Sequence, residues 1–189
     1  MSIMGRVGET EWTLTEAAQL LGEPQHRLIY LCEKGVVAPD VQDAEGRGSS
    51  RRFSARNLLE FGVALRLRAL GIPAAVSGAV VYVLRGFEKA IAKKMPGFSL
   101  PGSLIAANAP ELSAIIGDDE RLYFKLGSGK SGTKTYGGVP LEGLLESGTD
   151  AGHQRKRLRG VGNEAKEGVL RAKAEVSVTG IAQDLRLKA

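Results

Sequence analysis

The stretch from residue 12 to residue 71 limits the possible folds most, because its apolar residues recur at helical spacing between strong breakers. Leu14, Ala17 and Leu21 share one face of a helix that we expect to start near residue 15, opened by Thr13 or Thr15. Gly22 ends this helix. Pro24 fits the first turn of a second helix, which Gly35 terminates.

A polar segment follows the second helix. Residues 40–52 read DVQDAEGRGSSRR, which has the Gly and Ser of a turning hairpin and no apolar face. Ser54 then caps a third helix over residues 55–70, and its expected buried line is Leu58, Phe61 or Gly62, Leu65 and Ala69. Helix, tight turn, helix, loop and helix is the order of a winged helix-turn-helix, with residues 40–52 as the wing.

Composition indicates a cytoplasmic protein. The hydrophobic share of 43% and the charged share of 25% are typical of soluble globular domains. A single cysteine, Cys32, cannot form an internal disulfide. Residues 1–10 lack an apolar run of signal-peptide length, and the longest apolar stretch, residues 72–84, is shorter than the roughly 18 residues of a membrane span.

The net charge of +5 permits a nucleic-acid partner, but the charge is unevenly distributed. Residues 1–72 hold nine basic and nine acidic side chains, whereas residues 121–189 hold thirteen and seven. Binding to DNA by the first unit would therefore depend on the placement of individual basic side chains. Those on the second helix and the loop are Arg27, Lys34, Arg47, Arg51 and Arg52.

Two segments carry a family resemblance. WTLTEAAQLLGEPQHRLIYLCEKGVVAPD and SRRFSARNLLEFGVALRLRALGIP resemble the DNA-binding domain of the MerR family of bacterial transcription regulators, over about a third of the chain. Residues 27–31 occupy the family's recognition-helix positions, and Arg51, Phe53 and Ser54 match its wing. The sequence departs from the family at Ile29, where the family has Arg, and at Leu31, where it has a second Tyr.

The resemblance implies a sequence-specific, DNA-binding transcription regulator that acts as a homodimer on a two-fold related site and is associated with the nucleoid. In a helix-turn-helix the second helix enters the major groove, while basic residues of the wing contact phosphates. The candidate DNA-binding residues are Thr15, Gln25, His26, Arg27, Tyr30, Arg51 and Arg52.

A long helix is expected after the third one. Pro73 opens a helical stretch to about Lys94, and one face of it carries Val76, Val80, Leu84, Phe87 and Ile91. In the MerR family such a helix pairs with its copy, so this face is a candidate dimer contact. Packing within one domain is the alternative, because the stretch is shorter than several heptads. The sequence thus divides into residues 1–72, a connecting helix over residues 73–95, and residues 100–189.

The last part predicts a small mixed α/β unit, which makes the whole chain α+β. We expect a short helix over residues 110–116, a turn at Asp118 and Asp119, and a strand over residues 121–126. A loop, GSGKSG, leads to a second arm, TKTYGGV. Residues 175–178 predict another strand, and Thr179 is expected to cap a final helix.

Nothing in the sequence favours an enzyme, a cofactor or a metal site. GSGKSGT at residues 127–133 resembles the end of a phosphate-binding loop, but Phe124 stands where the first glycine is required, so a hairpin tip is expected. His26 and His153 lack catalytic partners at a useful spacing, and Cys32 lies in the recognition helix. The basic run HQRKRLRG at residues 153–160 is either solvated surface or an additional DNA contact.

Two alternatives to a regulator remain open at this stage. The first unit is an interaction module in one of them, and the carboxy-terminal unit then binds a protein or a small ligand. In the other, the protein is an excisionase-like architectural protein that bends DNA. Both alternatives use the same winged fold, so they differ from the regulator in partner and not in architecture.

Overall fold

The computed structural model describes residues 11–41, 51–128, 132–142, 158, 160–165 and 170–188. Within these residues the protein is α+β, with five α-helices and two antiparallel sheets. The predicted fold class is confirmed at this level. The tip of the predicted wing, residues 42–50, lies outside the described residues.

The first helix, α1 (Leu14–Leu21), follows a two-residue strand, β1 (Trp12–Thr13). Thr13 is its cap: the Thr13 hydroxyl accepts from the Glu16 amide, and the Glu16 carboxylate accepts from the Thr13 amide. The alternative cap, Thr15, is inside the helix. Gly22 ends α1 in the left-handed region at φ 68°, as predicted.

The second helix, α2 (Gln25–Glu33), begins directly after Pro24, which is its cap residue and not part of its first turn. Leu28 and Leu31 are its buried residues. They join Ala17 of α1 in a small apolar cluster that also contains Phe53 and Phe61, whose rings meet edge to face at 5.2 Å. This cluster fixes α1 and α2 against the third helix.

The third helix, α3 (Ala55–Ala69), follows strand β2 (Arg52–Phe53), which pairs antiparallel with β1. The predicted cap is confirmed, since the Ser54 hydroxyl accepts from the Asn57 amide. The expected buried line is only partly right. Every residue from 57 to 64 is buried, whereas Leu65 is half-buried and Ala69 is exposed. A helix covered on two sides has no single apolar line.

The fourth helix, α4 (Ala74–Lys94), has the predicted bounds within one residue. Its apolar face packs on the chain's own sheet: Phe87 stacks on Phe124 at 4.4 Å, and Val80 and Ile91 are at most 1% exposed. The face proposed for dimer contact therefore lies in the core of the same chain. Of the two interpretations of this face, packing within one domain agrees with the structure.

The main sheet contains four antiparallel strands in the order β5 (Gly132–Pro140), β4 (Arg121–Ser128), β3 (Glu111–Gly117), β6 (Ala172–Ser177). The expected helix over residues 110–116 is wrong, because β3 (Glu111–Gly117) occupies this segment. β3 pairs with a neighbour on each side, and its residues from Leu112 onward are all buried. A strand buried on both faces lacks the polar alternation that marks a strand in sequence.

The predicted hairpin is confirmed as β4 (Arg121–Ser128) and β5 (Gly132–Pro140), and the turn at residues 118–119 precedes it. β6 (Ala172–Ser177) starts before the predicted residue 175 and leads into α5 (Val178–Lys188). Ser177 caps α5 by accepting from the Gly180 amide at 2.9 Å. The predicted cap, Thr179, instead donates to the Pro110 carbonyl and accepts from the Leu112 amide.

Helix α3 belongs to both hydrophobic cores. Leu58, Phe61 and Ala64 lie in the small cluster with α1 and α2, while Leu59, Val63 and Leu67 lie in the larger one with α4, α5 and the sheet. The larger core thus extends across the boundary predicted at residue 72. Among the described residues, no helix combines the length and the apolar character that crossing a bilayer requires.

Gly62 tests the contact between α3 and α5. A Cβ at this position would lie 2.4 Å from Cγ2 of Ile181, so we expect Gly62→Ala to lower the free energy of unfolding by about 1–3 kcal/mol. Gly78 in α4 is the matched control. A Cβ there would meet Val36 at an ordinary 3.6 Å, so Gly78→Ala should be stabilising by about 0.5–1 kcal/mol. Denaturant unfolding measures both variants, and equal effects would refute this packing.

Candidate nucleic-acid interface

The start of α2 presents the predicted recognition residues to solvent. Gln25, His26, Arg27 and Tyr30 are all exposed, whereas Leu28 and Leu31 on the opposite face are at most 1% exposed. The helical period accounts for most of this division, because positions 28 and 31 lie on one face and positions 26 and 30 on the opposite one, while position 27 lies at the edge between them. The core thus fixes which side of α2 a partner meets.

Two of the predicted site residues are in direct contact. The Gln25 side-chain amide donates to the Thr15 hydroxyl at 3.0 Å, and both residues are exposed. Thr15 therefore orients the first residue of α2 instead of capping α1. A hydrogen bond of this kind holds the Gln25 amide in one orientation, as reading a base edge requires.

Arg27 is held by an ion pair. Its guanidinium lies 2.8 Å from the Glu23 carboxylate, and its side chain is 57% exposed. Exposed pairs of this type contribute less than about 1 kcal/mol, because solvent screens both charges. An acceptor on DNA could therefore replace Glu23 as the partner of Arg27 at little cost.

Tyr30 and Leu31, which is one of the two departures from the family, differ in exposure. Tyr30 is 39% exposed, and the Lys34 ammonium lies 5.7 Å from its ring centroid. His26, Arg27 and Tyr30 line a groove of about 460 Å³ between α2 and α3, which also has Arg68 on its wall. Leu31, by contrast, is 1% exposed. The residue at the position of the family's second Tyr is thus part of the core here.

The remaining candidates, Arg51 and Arg52, lie beside the start of α1. Arg52 pairs in register with Thr13 across β1 and β2, and both arginines are half-buried. Hydrogen bonds from Thr13 lower the pKa of the Glu16 carboxyl, and the positive charge of Arg52 adds to this shift. The first turn of α1 therefore connects the two groups of candidates, with Arg52 next to Thr13 and Gln25 next to Thr15.

Sequence reasoning missed a polar cluster at the base of the predicted wing. The Glu60 cluster consists of Asp40, Ser54, Asn57, Glu60 and Arg85. Glu60 is 1% exposed, and its two carboxylate oxygens accept from the Arg85 guanidinium, one of them from Nη2 at 2.7 Å. Arg85 also lies 3.2 Å from the Asp40 carboxylate.

Burial and ion pairing shift the pKa of the Glu60 carboxyl in opposite directions. Burial raises the pKa of the Glu60 carboxyl, while the Arg85 guanidinium and the Asn57 amide counteract part of the shift. The hydrogen bond to Glu60 in turn raises the pKa of the Arg85 guanidinium. The signal available in the sequence was a charged residue between Leu59 and Phe61, at a position where both helix neighbours are buried.

Three positive side chains of the carboxy-terminal unit form ion pairs with carboxylates. Lys134 lies 2.6 Å from Glu164, Lys173 lies 3.6 Å from Glu120, and Arg121 lies 4.0 Å from Asp119. Tyr123 donates to Asp119, and burial with this bond raises the pKa of Tyr123 to about 12. The predicted basic run, apart from positions 158 and 160, is outside the described residues.

The remaining sequence motifs show no built chemical site in the described part of the chain. No group of three or more His, Cys, Asp or Glu side chains in that part could hold a metal ion. Cys32 is half-buried in α2. Gly127 and Gly132 are strand residues of the β4–β5 hairpin, while Lys130 between them is outside the described residues, as is His153.

Arg85→Met tests the charge balance of the Glu60 cluster. At about pH 7 we expect the free energy of unfolding to fall by about 3 kcal/mol, the low end for a broken buried pair, because the Arg85 side chain is 33% exposed. Without the guanidinium, the pKa of Glu60 rises further. A carboxyl with a raised folded-state pKa destabilises the fold increasingly as the pH rises above its unfolded-state pKa, and fully above the folded-state one, so the deficit should narrow as the pH falls toward about 5.

Denaturant unfolding at the two pH values measures this change. The control is Arg85→Met combined with Glu60→Leu, which removes both charges and should recover part of the loss without the pH dependence. A deficit for Arg85→Met that is the same at both pH values would show that Glu60 is not the uncompensated charge.

The comparisons with known proteins add no assignment. The chain matches no known protein-family profile and no curated protein. The exposed face of α2, with Arg51 and Arg52 beside the start of α1, is therefore a candidate interface on physical grounds alone.

Proposed function

We propose that this protein is a sequence-specific, DNA-binding transcription regulator of the MerR type, associated with the bacterial nucleoid. One observation carries the proposal: Gln25, His26, Arg27 and Tyr30 form the exposed face of a helix whose other face is fixed in the core. In a helix-turn-helix, this face of the second helix contacts base edges in the major groove. Asn and Gln side chains suit adenine, and Arg suits guanine.

The charge distribution agrees with contacts made by individual side chains. Basic and acidic residues are equal in number over residues 1–72, so a general positive field does not hold DNA. Arg27 is exposed and forms an ion pair with Glu23, and Arg51 and Arg52 lie at the return arm of the predicted wing. In the proposed complex each of these arginines makes its own contact with a phosphate or a base.

Two copies bind a two-fold related site in this proposal, as the resemblance implies. Their contact is not the α4 face, because Val80, Phe87 and Ile91 are buried in the core of one chain. Exposing them for a dimer would cost on the order of 1.5–3 kcal/mol for each side chain. A two-fold complex therefore uses other residues.

Selection of bound duplexes from a random pool tests the function and the stoichiometry together. Enrichment of two inverted half-sites at a fixed spacing would support a dimeric regulator. Enrichment of one short site would support DNA binding by a single copy and contradict the dimer. The absence of any enriched duplex would contradict the whole proposal.

Two observations favour a second candidate, in which the amino-terminal unit is an interaction module. Ile29 stands where the family has a recognition-helix Arg, and residues 1–72 have no net charge. A protein that contacts phosphates loses affinity steeply as the salt concentration rises. Salt-independent binding to random duplex, or none at low salt, would favour the module.

Single substitutions separate the proposed roles. Arg51→Ala should weaken binding to the selected and to random duplex alike, because a phosphate contact carries no sequence information. Gln25→Ala should relax the preference at particular bases by roughly 1–3 kcal/mol and leave random duplex almost unaffected. Arg27→Ala should act like Gln25→Ala. Titration of both duplexes measures these changes.

Lys173→Ala is the matched control, since it removes one exposed positive charge from β6. It should change neither affinity by more than about twofold under salt concentrations that screen distant charges. Equal losses on both duplexes for Gln25→Ala, Arg27→Ala and Arg51→Ala would contradict the assignment of roles.

A further inference from the structure

The Glu60 cluster joins helix α4 to the chain on both sides of residues 42–50. Arg85 of α4 binds Glu60 of α3 and also lies 3.2 Å from the Asp40 carboxylate, which precedes this segment. The other Asp40 carboxylate oxygen accepts from the Ser54 hydroxyl at 3.0 Å, and Ser54 follows the segment. Asp40 therefore links the departing and the returning arm to one cation.

Asn57 anchors the backbone of the same two arms. Its side-chain oxygen accepts from the Asp40 amide at 2.8 Å and from the Ser54 amide at 3.2 Å. Its side-chain nitrogen donates to the Ala38 carbonyl at 2.9 Å and to Glu60 at 3.0 Å. Because Asn57 is fully buried in α3, these bonds fix the position at which both arms leave the core.

The returning arm carries two of the proposed phosphate contacts. Arg52 lies two residues before Ser54 and pairs with Thr13, and Arg51 precedes it. A long cationic side chain reaches a phosphate only if its backbone is held at the right distance from the duplex. The cluster supplies this restraint from the side of the arm that faces the core.

We propose that Asp40 and Arg85 are positioning residues for DNA binding, which hold the returning arm so that Arg51 and Arg52 meet the phosphate backbone. This inference rests on the proposed function. Neither residue needs to contact DNA for this role. Asp40 acts through Ser54, and Arg85 acts through Asp40 and Glu60.

The negative charge of Asp40 separates the proposal from the simplest alternative, because the two predict opposite changes in DNA affinity when Asp40 is removed. A carboxylate close to DNA repels the phosphates, so its removal should strengthen binding if repulsion were its only effect. If Asp40 positions the returning arm, its removal weakens binding although the protein becomes more positive. The direction of the change therefore separates the two roles.

The experiment compares Asp40→Ala with Glu33→Ala in the full chain. Glu33 is an exposed carboxylate at the end of α2, so Glu33→Ala removes the same charge as Asp40→Ala. We expect Asp40→Ala to bind random duplex about eightfold more weakly at 0.1 M salt and to lose about 0.9 from the salt slope, the effect of one lost phosphate contact. Glu33→Ala should bind equally well or more tightly.

Two further measurements separate positioning from folding and from the proposed function. Asp40→Asn keeps an oxygen acceptor for Ser54 but loses the charge that faces Arg85, so it should restore part of the affinity. Hydrogen exchange at residues 51–54 should be faster in Asp40→Ala than in the wild type and in Glu33→Ala, with or without DNA. The melting temperatures should show that both variants are folded under the conditions of the assay.

Each outcome decides the proposal. Tighter DNA binding by Asp40→Ala would overturn it, and so would unchanged hydrogen exchange at residues 51–54. If the wild type binds no duplex while Asp40→Ala still exchanges faster, the restraint of the arm stands and the proposed function fails. Weaker binding with faster exchange and rescue by Asp40→Asn would support both.

Discussion

Burial of α3 on two sides is the constraint on which the rest of the structure depends. Eight consecutive residues, 57–64, are buried, so the helix has no face that water can solvate over this length. One side supports α1 and α2, and the other supports α4, α5 and the sheet. The amino-terminal helices and the carboxy-terminal sheet are thus packed on one helix, which places the exposed face of α2 relative to everything else.

Most polar groups that a buried helix carries into the interior need hydrogen-bond partners. Glu60 and Asn57 are such groups, and Arg85, Asp40 and the backbone around Ser54 supply their partners. A second pair works in the same way one turn further along α4, where Glu88 lies 3.2 Å from Arg56 and accepts from the Leu100 amide. Hydrogen bonds and ion pairs therefore join α3 and α4 to the chain on both sides of residues 42–50. Apolar packing alone would not fix the alignment of these parts.

Local features were predictable because neighbouring residues decide them. Gly22, Gly35 and Ser54 mark helix ends at the positions that the structure shows, and the alternation of Leu122, Phe124 and Leu126 identified β4. The prediction failed for β3 because the residues of this strand are buried on both faces, so the sequence shows only an apolar run. The Glu60 cluster was missed for a different reason: its members come from positions 40, 54, 57, 60 and 85, and no local pattern brings them together.

The sequence by itself determined where α1 to α4 begin and end, and it placed the candidates Gln25, His26, Arg27 and Tyr30 on α2. These properties follow from capping and from the helical period, which act over three to four residues. Only the tertiary structure decided what covers the apolar face of α4. The same stripe can bury itself against a second copy or against the chain's own sheet, since the hydrophobic effect has no direction and depends only on the area removed from water. The position of the sheet settled that choice in favour of Phe124.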